Sequence, residues 1–119
     1  MADNYHRIIT ANNGFKPMFF KRPGQKLTIT FSSGEWRTNR DENWLGPEGH
    51  PSTNGSNNFP APGKPEMCLL ARLNERIHVV GREFELYGPE EGVIEMGPND
   101  DKTRDNLGSI TVKFEYTSS

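Results

Sequence analysis

The chain has 119 residues, with 14 Lys and Arg against 16 Asp and Glu and a net charge of −2. That length makes one domain, spanning residues 1–119, with enough chain to bury a core. The near-neutral balance excludes a general attraction to nucleic acid or to an anionic membrane surface. No apolar run reaches the length of a transmembrane helix, so no membrane insertion is expected. Cys68 is the single cysteine, which rules out an internal disulfide and favours a reducing compartment. Met1 to Arg7 lack the basic and apolar regions of a signal peptide. The expected location is cytoplasmic, with a leaderless route as the means of any release.

The apolar run from Tyr5 to Ala11 predicts a first strand, ended by the turn signal Asn12-Asn13-Gly14. Met18, Phe19 and Phe20 predict a second, and Pro23-Gly24 another turn. Leu27, Ile29 and Phe31 alternate with Thr28, Thr30 and Ser32, the clearest strand of the N-terminal half. Ser33-Gly34 is expected to end it, with Trp36 packing into the core at the entrance of a loop. Residues 37–66 are the longest irregular stretch. Their prolines and glycines exclude a helix, and a loop this long in a small domain is functional or a tolerated insertion. The polar run Ser52 to Asn58 predicts partial mobility.

Met67 to Leu73 begins as a continuously apolar run, as a buried strand does. Asn74-Glu75 reads as a turn. Ile77, Val79 and Val80 form the next run, with His78 between them, and Phe84 and Leu86 the one after. Gly88 to Gly92 reads as a turn, and Val93 to Met96 as a short strand leading into a polar stretch. From Ser109 to Tyr116 the chain alternates strictly, with Ile110, Val112, Phe114 and Tyr116 on one face. About eight short strands with turns between them, and no amphipathic helix, predict an all-β fold. The expected architecture is an antiparallel β-sandwich or jelly roll.

The stretch Asn99 to Gly108 carries the chemistry. Asp100, Asp101 and Asp105 would repel one another in a compact fold unless a cation or open solvent lay between them. A hard cation with six to eight oxygen ligands, such as Ca²⁺, matches that need. The spacing is not that of an EF-hand, because no Glu closes a twelve-residue count and no Gly stands at its sixth place. Asn, Asp and Gly are also ordinary turn residues, so a plain solvated turn is the competing reading. Three scattered histidines and one cysteine give no zinc spacing.

Three stretches, in order, carry a family resemblance. Ala11-Asn12-Asn13, Pro23-Gly24, a Thr/Ile strand and Gly34-Glu35-Trp36 form the first. Trp44, Gly46-Pro47-Glu48-Gly49 and His50-Pro51 form the second. Asn99-Asp100-Asp101, then Asp105-Asn106, then Gly108-Ser109 and an alternating strand form the third. Together they resemble the bacterial galactophilic lectins of the PA-IL type. The resemblance implies a small, calcium-dependent, galactose-binding β-sandwich that is not an enzyme. It implies Ca²⁺ held by the side chains of Asp100, Asp105 and Asn106 and by the main-chain carbonyls of Thr103 and Asn39. It also implies a sugar that chelates the same ion through two neighbouring hydroxyls. Asp100 and Asp105 would accept hydrogen bonds from those hydroxyls, and His50 would reach the primary hydroxyl, with Asn39 and Thr103 bordering the sugar.

This chain departs from the pattern in three places. Its acidic loop is shorter, which leaves Lys102 or Asp101 open as the carbonyl donor in place of Thr103. Asn39 stands where the family has a Tyr, and the segment before His50 is shorter.

The function expected on these grounds is that of a lectin for galactose-containing glycans. Single shallow sugar sites are weak, so a homo-oligomer, a dimer or tetramer, is expected to supply avidity. The alternative is a structural or interaction β-sandwich whose calcium only pins the 99–108 loop. Asp100 and Asp105 could in principle serve glycoside hydrolysis, but acids committed to a cation are poor general acids. Trp44 is the candidate for an exposed stacking platform. Cys68 reads as a small buried apolar residue.

Overall fold

A computed structural model describes residues 2–40 and 43–117, so positions 41 and 42 of the long loop lie outside it. Eight strands form among the described residues: β1 (Ala2–Thr10), β2 (Lys16–Lys21), β3 (Lys26–Arg37), β4 (Leu69–Leu73), β5 (Arg76–Val79), β6 (Glu83–Tyr87), β7 (Gly92–Pro98) and β8 (Leu107–Thr117). They make two four-stranded antiparallel sheets, ordered β1-β8-β3-β6 and β2-β7-β4-β5. The all-β antiparallel sandwich expected from the alternation is the fold found.

The core lies between the sheets and draws on both. Ile9, Leu27, Ile29, Trp36, Ile110, Val112 and Phe114 come from one, and Phe19, Leu69, Ala71, Leu73, Ile94 and Met96 from the other. In β8 the alternation reads directly as packing: Ile110, Val112 and Phe114 are fully buried, and Tyr116 is half-buried. At that end of the sandwich Phe19 stacks on Phe114 at 5.2 Å and on Tyr5 at 5.6 Å, an offset arrangement favoured by aromatic quadrupoles.

Two boundaries differ from expectation. Ser33-Gly34 does not end the third strand. The register against β8 shifts between Phe31 and Ser33, so the pair forms a bulge and β3 continues to Arg37. One extra residue moves the inward positions from Leu27 and Ile29 to Trp36, which is why the indole is fully buried. Gly34 has φ +100° and lies so close to Ser109 that a Cβ there would meet the Ser109 carbonyl oxygen. The second difference is at Met67, whose φ of 66° keeps it out of the strand, so β4 begins at Leu69. Met67 instead donates its N–H to Asn99 O at 2.9 Å and accepts Trp36 Nε1–H on its carbonyl at 2.8 Å.

The long loop is tied down rather than free. Asn54 bridges Pro65, Gly55 donates to Lys64 O, and Glu66 donates to Thr53 O. Its anchor is Asn99, fully buried just past the end of β7. Asn99 Nδ2 lies within reach of the carbonyls of Ala61 (2.9 Å), Pro65 (3.1 Å) and Lys64 (3.2 Å), and Ala61 N–H donates to its Oδ1 at 2.9 Å. At the other end Lys21 is also fully buried. Its Nζ donates to the carbonyls of Gly88, Glu90 and Arg22 at 2.9, 2.9 and 3.2 Å, which holds the turn between β6 and β7.

Asn99→Ala strands the buried Ala61 N–H and three carbonyls that no other group serves. It is expected to cost about 3 kcal/mol of unfolding free energy in urea denaturation. Asn99→Asp should cost at least as much, because a carboxylate keeps the acceptor but turns charge toward carbonyls. A loss below about 1 kcal/mol for both would remove Asn99 as the anchor.

Candidate functional site

One end of the sandwich collects the ends of β1, β3 and β7 and the starts of β4 and β8. The connections there are the 11–15 turn, the long loop and the acidic loop between β7 and β8. The acidic loop is shaped by its own side chains. Lys102 N–H donates to Asp100 Oδ1 at 3.3 Å, closing an Asx turn, and Asn106 N–H donates to Thr103 O at 2.9 Å. Asn106 ties it to the body of the protein. Its Nδ2 approaches Asp100 Oδ2 at 2.8 Å, Ala11 O at 3.3 Å and the Met67 sulfur at 3.6 Å. The amide nitrogen is thus spent on the protein, which leaves Asn106 Oδ1 as the atom a cation could use.

The result is a cleft of about 310 Å³ whose wall includes Thr38, Asn39 and Arg40 from the end of β3 and Asp100, Asp101, Lys102, Asp105 and Asn106 from the acidic loop. Of the residues expected at the site, Asn39, Asp100, Asp105 and Asn106 come together here. Asp100 and Asn106 form the buried floor, and Asn39 and Asp105 the exposed rim. Thr103 does not line the cleft; its carbonyl receives the Asn106 N–H. His50 does not line it either. Thr38 and Lys102 join the wall without any signal in the sequence. Asn99 had only its place among the oxygen-bearing side chains, and its amide turns to the long loop instead.

The donor set suits a hard cation. No three His, Cys, Asp or Glu side chains among the described residues are grouped to hold a metal alone. An ion in this cleft must therefore also use amide and main-chain oxygen, which is how Ca²⁺ fills six to eight positions. Softer ions that want imidazole or thiolate find neither here.

A second and larger cleft, of about 780 Å³, lies beside the first part of the long loop and includes Trp44, Glu48, His50, Ser52 and Arg82. Trp44 is 46% exposed, as a platform must be, whereas Trp36 is fully buried. The Arg37 guanidinium lies 4.9 Å from the Trp44 ring centroid. Arg82 Nε donates to Glu48 Oε2 at 2.8 Å, and Ser52 N–H donates to His50 Nδ1 at 3.2 Å. Cys68 is fully buried near this end, and burial pushes its thiol up to about 11, so it is chemically quiet.

Burial is the largest influence on Asp100 and raises its carboxyl. The Asn106 amide and Lys102 N–H oppose that, the neighbouring Asp101 adds to it, and the net displacement is upward. The folded chain therefore holds this proton more tightly than the unfolded chain. The contribution of Asp100 to stability is greatest when it is protonated and falls as pH rises from the ordinary Asp value, about 3.9, through the raised folded value. With a calcium chelator present, the stability of the parent relative to Asp100→Asn should decline across that window in urea denaturation. A difference that is flat or rises with pH would contradict the assignment.

No protein-family model and no curated protein matches the chain. Among solved structures it is similar to the N-terminal domain of EclA, described as a PllA-like lectin, with a TM-score of 0.69 and 23% identity. The match covers 95% of this chain and 96% of that one. The chain therefore has, over nearly its whole length, the fold of a lectin domain.

Proposed function

We propose that the chain is a calcium-dependent lectin for galactose or terminal galactosides and catalyses no reaction. The observation that carries this reading is the meeting of Asp100, Asp105, Asn106 and Asn39 in one cleft at the loop end of a lectin-type sandwich. Asp100, Asp105 and Asn106 supply side-chain oxygens, and Asn39 supplies its carbonyl. Thr103, Lys102 and Asp101 are the candidates for the second carbonyl, and the engagement of Thr103 O by Asn106 N–H favours the other two. Bound Ca²⁺ supplies open positions that a pair of neighbouring sugar hydroxyls can fill in place of water.

The protein's own work is orientation. Asp100 is fixed by Asn106 and by the Lys102 N–H, so its oxygens point in set directions before a ligand arrives. Carboxylates held in this way accept short, charge-assisted bonds from hydroxyls, which lets a well-hydrated sugar exchange water for stronger partners. Epimers are separated by which hydroxyl pair can reach both the ion and the acids. Weak single sites call for repetition, so the functional form is a homo-oligomer, a dimer or tetramer.

Calorimetric titration of galactose should give heat with calcium and none with a chelator. Calcium at about 100 times its dissociation constant should also stabilise the fold by about 2.7 kcal/mol. Asp100→Ala should abolish both effects and leave a folded protein. Calcium stabilisation without heat from galactose, mannose, fucose or glucose would instead favour a calcium that only pins the loop.

A further inference from the structure

We propose that the Trp44 cleft is a second sugar subsite, which takes the pyranose linked to the galactose held at the Asp100 cleft, with Trp44 as its stacking surface. The inference rests on the galactoside reading of the Asp100 cleft and extends it from a monosaccharide to a disaccharide or longer glycan.

Three observations carry it. The first is the exposure of Trp44, a residue type with a large apolar area that folding normally hides. The ring is held in place: it packs on Gly108, where a Cβ would come 2.8 Å from Trp44 Cζ3, and it sits against the Arg37 guanidinium. Trp36 and Leu45 exchange both backbone hydrogen bonds, at 2.9 and 2.8 Å, which fixes the chain next to Trp44. A rigid, half-exposed indole is a surface for the apolar face of a sugar ring at little entropic cost.

The second is the polar company around it. Glu48 is pinned by Arg82, so the cleft offers a carboxylate acceptor and guanidinium donors in fixed positions. His50 accepts the Ser52 N–H on Nδ1, which places the neutral imidazole's proton on Nε2 as a further donor. Alternating donors and acceptors around an aromatic surface match a ring that carries a hydroxyl on nearly every carbon. An apolar peptide or lipid would leave Glu48 and His50 unpartnered.

The third is proximity. Gly108, under Trp44, is two residues from Asn106 in the floor of the Asp100 cleft, a span of at most about 7 Å of chain. Arg37, against the ring, directly precedes Thr38 and Asn39 of the same cleft. The two clefts are therefore adjacent across the ends of β3 and β8.

The test compares methyl β-galactoside with disaccharides in which galactose is joined to glucose, galactose or N-acetylglucosamine, titrated with calcium into the parent, Trp44→Ala, Trp44→Phe and Glu48→Gln. At least one disaccharide is expected to bind the parent about tenfold more tightly than methyl galactoside. Trp44→Ala should erase that gain, Trp44→Phe should restore part of it, and neither should change affinity for methyl galactoside or calcium. Glu48→Gln should reduce the gain. A parent that binds methyl galactoside but no disaccharide better, or a gain that survives Trp44→Ala, overturns the second subsite and leaves the galactose reading standing. A parent that binds neither class with calcium present overturns both.

Discussion

The fixed point of the molecule's loop end is the amide of Asn99. A loop of some thirty residues between β3 and β4 has no sheet of its own, and its backbone groups must find partners before the chain can close. Asn99 supplies donor and acceptor at once to the stretch 61–65, while its own backbone exchanges hydrogen bonds with Met67 and Cys68. Because Asn99 directly precedes Asp100, the same residue that anchors the long loop also fixes where the acidic loop starts. Both clefts depend on it, one on either side.

A relay of buried groups extends that order. Met67 takes the Trp36 indole N–H on its carbonyl and the Asn106 amide on its sulfur, so the bulged strand, the long loop and the acidic loop meet at one residue. Asn106 in turn reaches the carbonyl of Ala11 past the end of β1. The acids are thus positioned by amides and carbonyls rather than by the nearby Arg40 and Lys102, which stand at the exposed edge of the cleft. Short-range dipolar contacts of this kind are buried and little affected by salt. They hold carboxylates in place without neutralising them, and so keep their charge for a ligand.

Much of this was legible in the chain. Alternation in residues 27–31 and 109–116 gave the strands and their inward faces, because a half-buried strand repeats with period two. The acids of the 99–108 loop marked the cleft, and four of the expected site residues meet there. What the sequence hid was non-local. Nothing in Ser33-Gly34 distinguishes a turn from a bulge, since both want a flexible residue, and only the partner strand β8 decides between them. The strand limit at Met67 is set by a backbone angle that the apolar run does not announce. Asn99 resembles its neighbours in composition, yet its amide points the other way, because its partners lie 34 to 38 positions earlier.

The buried ammonium of Lys21 sets a rule for how this chain can vary. Each of its N–H groups has a carbonyl partner, and none of those partners is a carboxylate, so the charge is balanced by dipoles alone. Arginine would bring five donors in a flat fork to a space built for three in a tripod. Methionine would fill the volume and leave three carbonyls without a donor. Among chains that keep this turn between β6 and β7, that position is therefore closed to the two exchanges that lysine most readily accepts elsewhere.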